Sequence, residues 1–174
     1  AEGPQLIYHR ANAYRRSGFE YSQSVVAPKL IEDKKLFTDA YLVAANNIIK
    51  QAKEQGDSPK DFSLTLIRLL SSPKENKDAA FLLEMPRESG GRISLARDVI
   101  LHAKIPARVA RGVYLAKKQI KKKKIRSFLE VYDGKEWLLI DPKEITLKDP
   151  NNFVLWEKGN ESILEVKGGS NSKV

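Results

Sequence analysis

A chain of 174 residues with 41% apolar content has the length and composition of a folded domain with one hydrophobic core, not of a disordered segment. It contains no cysteine, which excludes disulfides and thiolate chemistry, and only two histidines, His9 and His102, which makes a histidine-based metal site improbable. The net charge of +9 is concentrated: residues 117–126, "KKQIKKKKIR", hold seven basic and no acidic residues, leaving +2 on the rest of the chain.

This distribution argues against a nucleic-acid-binding surface, which draws Lys and Arg from several elements and, for single strands, interleaves aromatic residues for stacking. The basic run contains no aromatic residue. It reads most simply as a solvated loop. No stretch of about eighteen apolar residues spans a bilayer, and no signal-peptide pattern is present. The abrupt ends, "AEGPQ" and "GGSNSKV", give the expectation of a domain excised from a longer protein.

In chain order, "LIYHRANAYRRSG" is a candidate short helix and "FEYSQSVVAP" an extended stretch. From about Ile31 to Gln55, Leu36, Ala40, Leu42, Val43, Ala44, Ile48 and Ile49 recur at helical spacing, with Gly56 as the stop. Ser58 then caps a second helix, with Pro59 at its first position and Asp61 in its first turn. Its Phe62, Leu64, Leu66, Ile67, Leu69 and Leu70 are apolar on more than one side, so it is expected to be central. A break at "SSPKENKD" precedes an apolar "AAFLLEM" and the loop "PRESGGR". A third helix is predicted from about Ile93 to Ala103, with His102 within it, closing at Lys104 because Pro106 turns Ile105 from helical angles.

The period then changes. "ARVARGVYLA" and "RSFLEVY" read as strands, "DG" as a two-residue hairpin turn and "KEWLLID" as a third strand. The tail "NNFVLWEKGNESILEVKGG" predicts one or two more. Helices followed by an antiparallel sheet argue for an α+β fold, with residues 1–174 as a single domain.

Three stretches, "IPARVARG", "LEVYDGKEW" and "IDP", make residues 89–143 resemble the transglutaminase-like superfamily, within the papain-like cysteine fold. The resemblance implies N-terminal helices packed on a C-terminal antiparallel sheet. In that family a cysteine opens a buried helix ending in Gly-Ile-Pro-Ala-Arg, a histidine begins the strand His-Ala-Trp-x-Glu-Val-Tyr, and an aspartate in Asp-Pro-Thr ends the next. The helix start steadies the thiolate, the histidine moves the proton and the aspartate orients the imidazole.

Carried over residue by residue, the nucleophile position falls on Ser89, within a residue or two, the histidine position on Arg126 and the aspartate position on Asp141. Lys143 stands where threonine is usual, and Lys104 replaces the glycine before Ile105. A serine hydroxyl needs a base, and a guanidinium cannot serve as one. Catalysis of the family type is therefore not expected; the chain is not read as an enzyme, and no metal or cofactor is implied.

The loss of the triad is similar to that of a bacterial branch of inactive transglutaminase domains fused to seven transmembrane helices. That resemblance implies an extracytoplasmic, periplasmic domain of an inner-membrane protein, with membrane helices in the full-length chain. Genes of that branch neighbour those of peptide ligases and proteases, which implies a peptide-related role. The expected function is then a peptide-binding or sensory module. Arg126 paired with Asp141 is either a structural salt bridge or, where Asp141 does not fully neutralise it, a receiver of a ligand carboxylate. In the second case Arg126, Asp141 and Trp137 would contact the ligand, and Lys117, Lys118, Lys121, Lys122, Lys123 and Lys124 would attract an acidic peptide or protein. The alternatives are a structural or partner-docking domain, or polyanion binding through the lysine-rich loop, to nucleic acid or anionic lipid.

Overall fold

A computed structural model of the protein describes residues 36–87, 91–115, 125–158 and 161–162. Four helices precede a sheet, in the order α1 (Asp39–Lys53), α2 (Pro59–Ser71), α3 (Lys77–Leu83), α4 (Gly91–His102), β1 (Ala107–Tyr114), β2 (Arg126–Tyr132), β3 (Trp137–Asp141), β4 (Thr146–Lys148), β5 (Phe153–Lys158) and β6 (Glu161–Ser162). The fold is α+β, as the order of periodicities predicts. The strands form one antiparallel sheet in the order β4-β3-β2-β1-β5-β6.

Ser58 caps α2 as predicted, its Oγ accepting from the Asp61 N–H at 3.0 Å ahead of Pro59. The helix is central: Phe62, Leu66 and Leu70 are buried against Ile48 of α1, Leu82 of α3 and Leu95 and Val99 of α4. Each such side chain contributes about 1.5–3 kcal/mol on burial. One expectation needs correction. The start predicted near Ile31 lies outside the described residues, and the helix does not run unbroken from there: Leu36–Thr38 are not helical and α1 begins at Asp39, because Thr38 takes an extended conformation and Phe37 drops into the core ahead of the helix. The apolar stretch, to which the sequence assigns no element, contributes its "AAFLL" to a short helix, α3, whose start is set by Asn76 accepting from the Ala79 N–H at 3.0 Å.

At the end of α4, Lys104 sits in the left-handed region with φ of 65°. Its N–H donates to the Leu101 carbonyl at 2.9 Å and that of Ile105 to the Ile100 carbonyl at 3.2 Å. These are the two bonds of a Schellman cap, which explains the preference for glycine there. Lys104 is exposed, so its side chain gains little in return. Lys104→Gly should stabilise the protein by about 0.5–1 kcal/mol, read as a raised urea midpoint.

The turn after β2 is a four-residue loop, not a two-residue one, because Tyr132 pairs with Trp137. Asp133 is the cause. Its carboxylate accepts from the N–H groups of Lys135 and Glu136, both at 2.8 Å, folding these residues into the turn. Those bonds, chiefly the one from Glu136, hold the Asp133 carboxyl below its ordinary pKa.

Alternation along the strands splits the sheet into two faces. Ala107, Leu129, Val131 and Ile140 join the helical core. On the other face Ala110, Phe128 and Leu139 are equally buried, with Phe153 meeting Phe128 edge-on at 4.8 Å between centroids. The sheet curls around this second cluster, since Lys148 of β4 comes within 5.5 Å of the Tyr114 ring on β1, two strands away from β4's own neighbour β3. Besides β5 and β6 in the predicted tail, β4 is a strand with no sequence signal, because three residues carry too little alternation.

Candidate functional site

Arg126 opens β2 and Asp141 closes β3, so adjacent antiparallel strands bring the two residues to one end of the sheet. The Arg126 Nη2 donates to Asp141 Oδ2 at 2.8 Å. The other Asp141 oxygen accepts from the N–H groups of Lys143 (3.0 Å) and Glu144 (3.4 Å), while its carbonyl accepts from Ile145 N–H at 2.8 Å. The "IDPKEI" segment therefore folds back around its own aspartate. Asp141 is 1% exposed, whereas the Arg126 side chain is 39% exposed and its Cζ lies 5.1 Å from the centre of the Phe128 ring. One guanidinium nitrogen holds the carboxylate, while more than a third of the side chain stays accessible.

The α4 start lies nearby. Ile67 and Leu70 of α2, Arg92, Ile93 and Ala96 of α4, and Pro142 and Lys143 after β3 line a pocket of about 270 Å³. The first turn of α4 is thus set against the two residues that follow Asp141. The residues carried over from the motif converge to this extent: Arg126 and Asp141 are in contact, and the two residues after Asp141 line the pocket that the first turn of α4 also lines. Ser89 lies outside the described residues, as do Lys117, Lys118, Lys121, Lys122, Lys123 and Lys124.

Trp137 shares the sheet face of Leu139 and Asp141. It is half-buried, with the Arg108 guanidinium 3.7 Å from its ring centre and Tyr132 5.5 Å away. Arg108 is in turn ion-paired with Glu130 at 2.5 Å on the facing strand. Trp137 is therefore a covered wall residue, and Arg108 a clamp between strands.

His102 is the last residue of α4, not a mid-helix residue, and lies at the far end of that helix from Gly91. Its Nε2 is 3.0 Å from Asn46 Oδ1 and its ring meets Phe37 edge-on. Burial, and secondarily the Lys104 charge, hold it below its ordinary pKa. This position is that of a packing histidine joining α4 to α1.

A polar cluster without a sequence signal stands beside the helix start. Asp98 of α4, nearly buried, accepts from Arg87 Nη1 at 2.7 Å on one oxygen, and from Arg97 Nε (2.9 Å) and Nη2 (2.7 Å) on the other. This pair ties Arg87, which follows α3, to the body of α4. Among the described residues no group of His, Asp and Glu side chains could hold a metal ion, and no helix is long and apolar enough to cross a membrane.

Residues 1–85 match a family model described as inactive transglutaminase fused to 7 transmembrane helices. The match ends before the motifs at 89–143 and does not extend over them. No curated protein and no solved structure matches the chain.

Proposed function

The chain is a member of the inactive transglutaminase family through residues 1–85, and from that premise we propose that it is a non-catalytic peptide-binding, sensory module. In this reading its helices and sheet take the transglutaminase-like, papain-like arrangement. Ser89 and Arg126 stand where the nucleophile and base would be, and Asp141 keeps its place.

The observation that carries the proposal is the one-sided engagement of Arg126. A histidine replaced by an inert core residue would have left Asp141 without purpose. Here a permanent cation replaces it, held in position by a buried carboxylate that is itself fixed by two backbone N–H groups. With one nitrogen engaged and 39% of its side chain exposed, Arg126 is suited to a carboxylate on a peptide. The full-length protein would carry membrane helices, and the domain would lie on the extracytoplasmic side.

The test is fluorescence polarisation with end-blocked acidic peptides at physiological salt. Saturable binding should weaken about tenfold or more in Arg126→Ala, and Arg126→Lys should fall between, keeping the charge but losing the planar fork. No binding, or binding indifferent to both substitutions, would sink the reading. Binding confined to DNA or heparin and lost with added salt would replace it with polyanion attraction through the lysine-rich segment.

A partner-docking role has its own observation. Val43 of α1 is 60% exposed, and elsewhere on the same helix Tyr41 stacks on the exposed Phe81 of α3 at 4.7 Å between centroids.

A further inference from the structure

We propose that the pocket between α2, α4 and the end of β3 receives the C-terminal residue of a peptide, its apolar side chain inside and its free α-carboxylate between Arg92 and Lys143. The proposal rests on the peptide reading above and narrows it from acidic peptides in general to a chain terminus.

The size comes first. A cavity of about 150 Å³ suffices for benzene, so 270 Å³ holds one large aliphatic or aromatic side chain. It falls just short of the roughly 300 Å³ at which drug-sized ligand sites begin. One residue fits and several do not.

The lining decides which residue. The walls are Ile67, Leu70, Ile93, Ala96 and the Pro142 ring, with no neutral hydrogen-bonding side chain among them. An internal peptide segment would bring N–H and C=O groups on both sides of the inserted residue, and such groups are costly to bury unpaired. A chain end brings a carboxylate instead, and the remaining lining residues are both cations.

Among the described residues neither cation is already taken. Arg92 and Lys143 are exposed and form no ion pair with any described residue. The acids closest in sequence to Lys143 are committed elsewhere: Asp141 to Arg126, and Glu144 to Lys148. The rim therefore carries two unbalanced positive charges over an apolar floor. The first backbone N–H groups of α4 add a favourable dipole at the same end.

The experiment compares four versions of one fluorescent peptide on the 174-residue protein: ending in Leu or Gly, each with a free carboxylate or an amide. The Leu free acid should bind best. Amidation should weaken it about tenfold or more, Leu-to-Gly replacement should weaken it severalfold, and Arg92→Ala should bring the free acid close to the amide. Arg92 is exposed, so that variant should fold normally; Ala96→Met, which fills the pocket, gives a second route to the same loss. Equal binding of acid and amide, or no effect of Arg92→Ala, overturns the proposal.

The two readings fail separately. Amidated acidic peptides that bind through Arg126 with no preference for a free end would keep the groove and overturn the terminus site. Free-acid binding that ignores Arg126→Ala but needs Arg92 would support the pocket and overturn the Arg126 reading. N-acetyl-leucine binding as tightly as the peptide would overturn the peptide assignment in favour of a small carboxylic acid.

Discussion

Asp98→Ala is expected to be among the most destabilising single changes in the protein, at about 3–5 kcal/mol. The Arg87 side chain is only 12% exposed, and its Nε and Nη2 are buried without a hydrogen-bond partner among the described residues. Among those residues Asp98 supplies its one ion pair, at 2.7 Å. Removing the carboxylate strands a cation that has already lost most of its water, and domains of this kind have only about 5–15 kcal/mol in all. Arg97 suffers less, because a third of its side chain is solvated. Urea denaturation should show a lower midpoint with an unchanged slope. Arg87→Met combined with Asp98→Leu should recover most of the loss, since the apolar pair needs no compensating charge. A loss below about 1 kcal/mol in Asp98→Ala would mean that Arg87 is adequately hydrated. The stakes reach the candidate site, because the pair ties Arg87 to the helix whose first turn lines the pocket.

What could be foreseen from the residues follows from how local each signal is. The Ser58–Pro59–Asp61 start of α2 lies within four residues and involves only adjacent groups, and it holds in detail. The Arg126–Asp141 contact was accessible because a two-strand hairpin converts sequence distance into adjacency, given the pattern around "LEVY" and "IDP". The hairpin's loop length was not, since it depends on whether Asp133 bonds to the backbone ahead of it. Non-local features were beyond reach. Nothing in "MPRESGGRISLARD" says that Arg87 and Arg97 share Asp98. Nothing near Pro142 says that Ile67 and Leu70, more than seventy residues earlier, will face it. The placement of β5 beside β1 rather than β4 is of the same kind.

That placement makes Gly112→Ala the second change with a large expected effect, about 3 kcal/mol. Gly112 lies in β1 at the register shift opposite β5. A Cβ there would stand 2.3 Å from the Val154 carbonyl oxygen and 2.6 Å from Phe153 Cζ. The first is backbone and cannot rotate away. The second belongs to the ring packed on Phe128, so moving it disturbs the buried cluster inside the curl. Gly134→Ala, by contrast, meets nothing within 4 Å and suffers only from its φ of 101°, a cost nearer 1 kcal/mol. The ordering of these two losses in thermal or urea melts checks the argument, and equal losses would contradict it. Gly112 also pairs with Arg126 across β1 and β2. If β1 yields, the arginine shifts against Asp141, and Gly112→Ala should weaken peptide binding by more than its folded fraction accounts for. Gly134→Ala, at the far end of the β2–β3 hairpin, should leave binding unchanged. Strand packing and the retained cation would then be parts of one arrangement, in which close approach of β5 to β1 fixes where the charge at the start of β2 is presented.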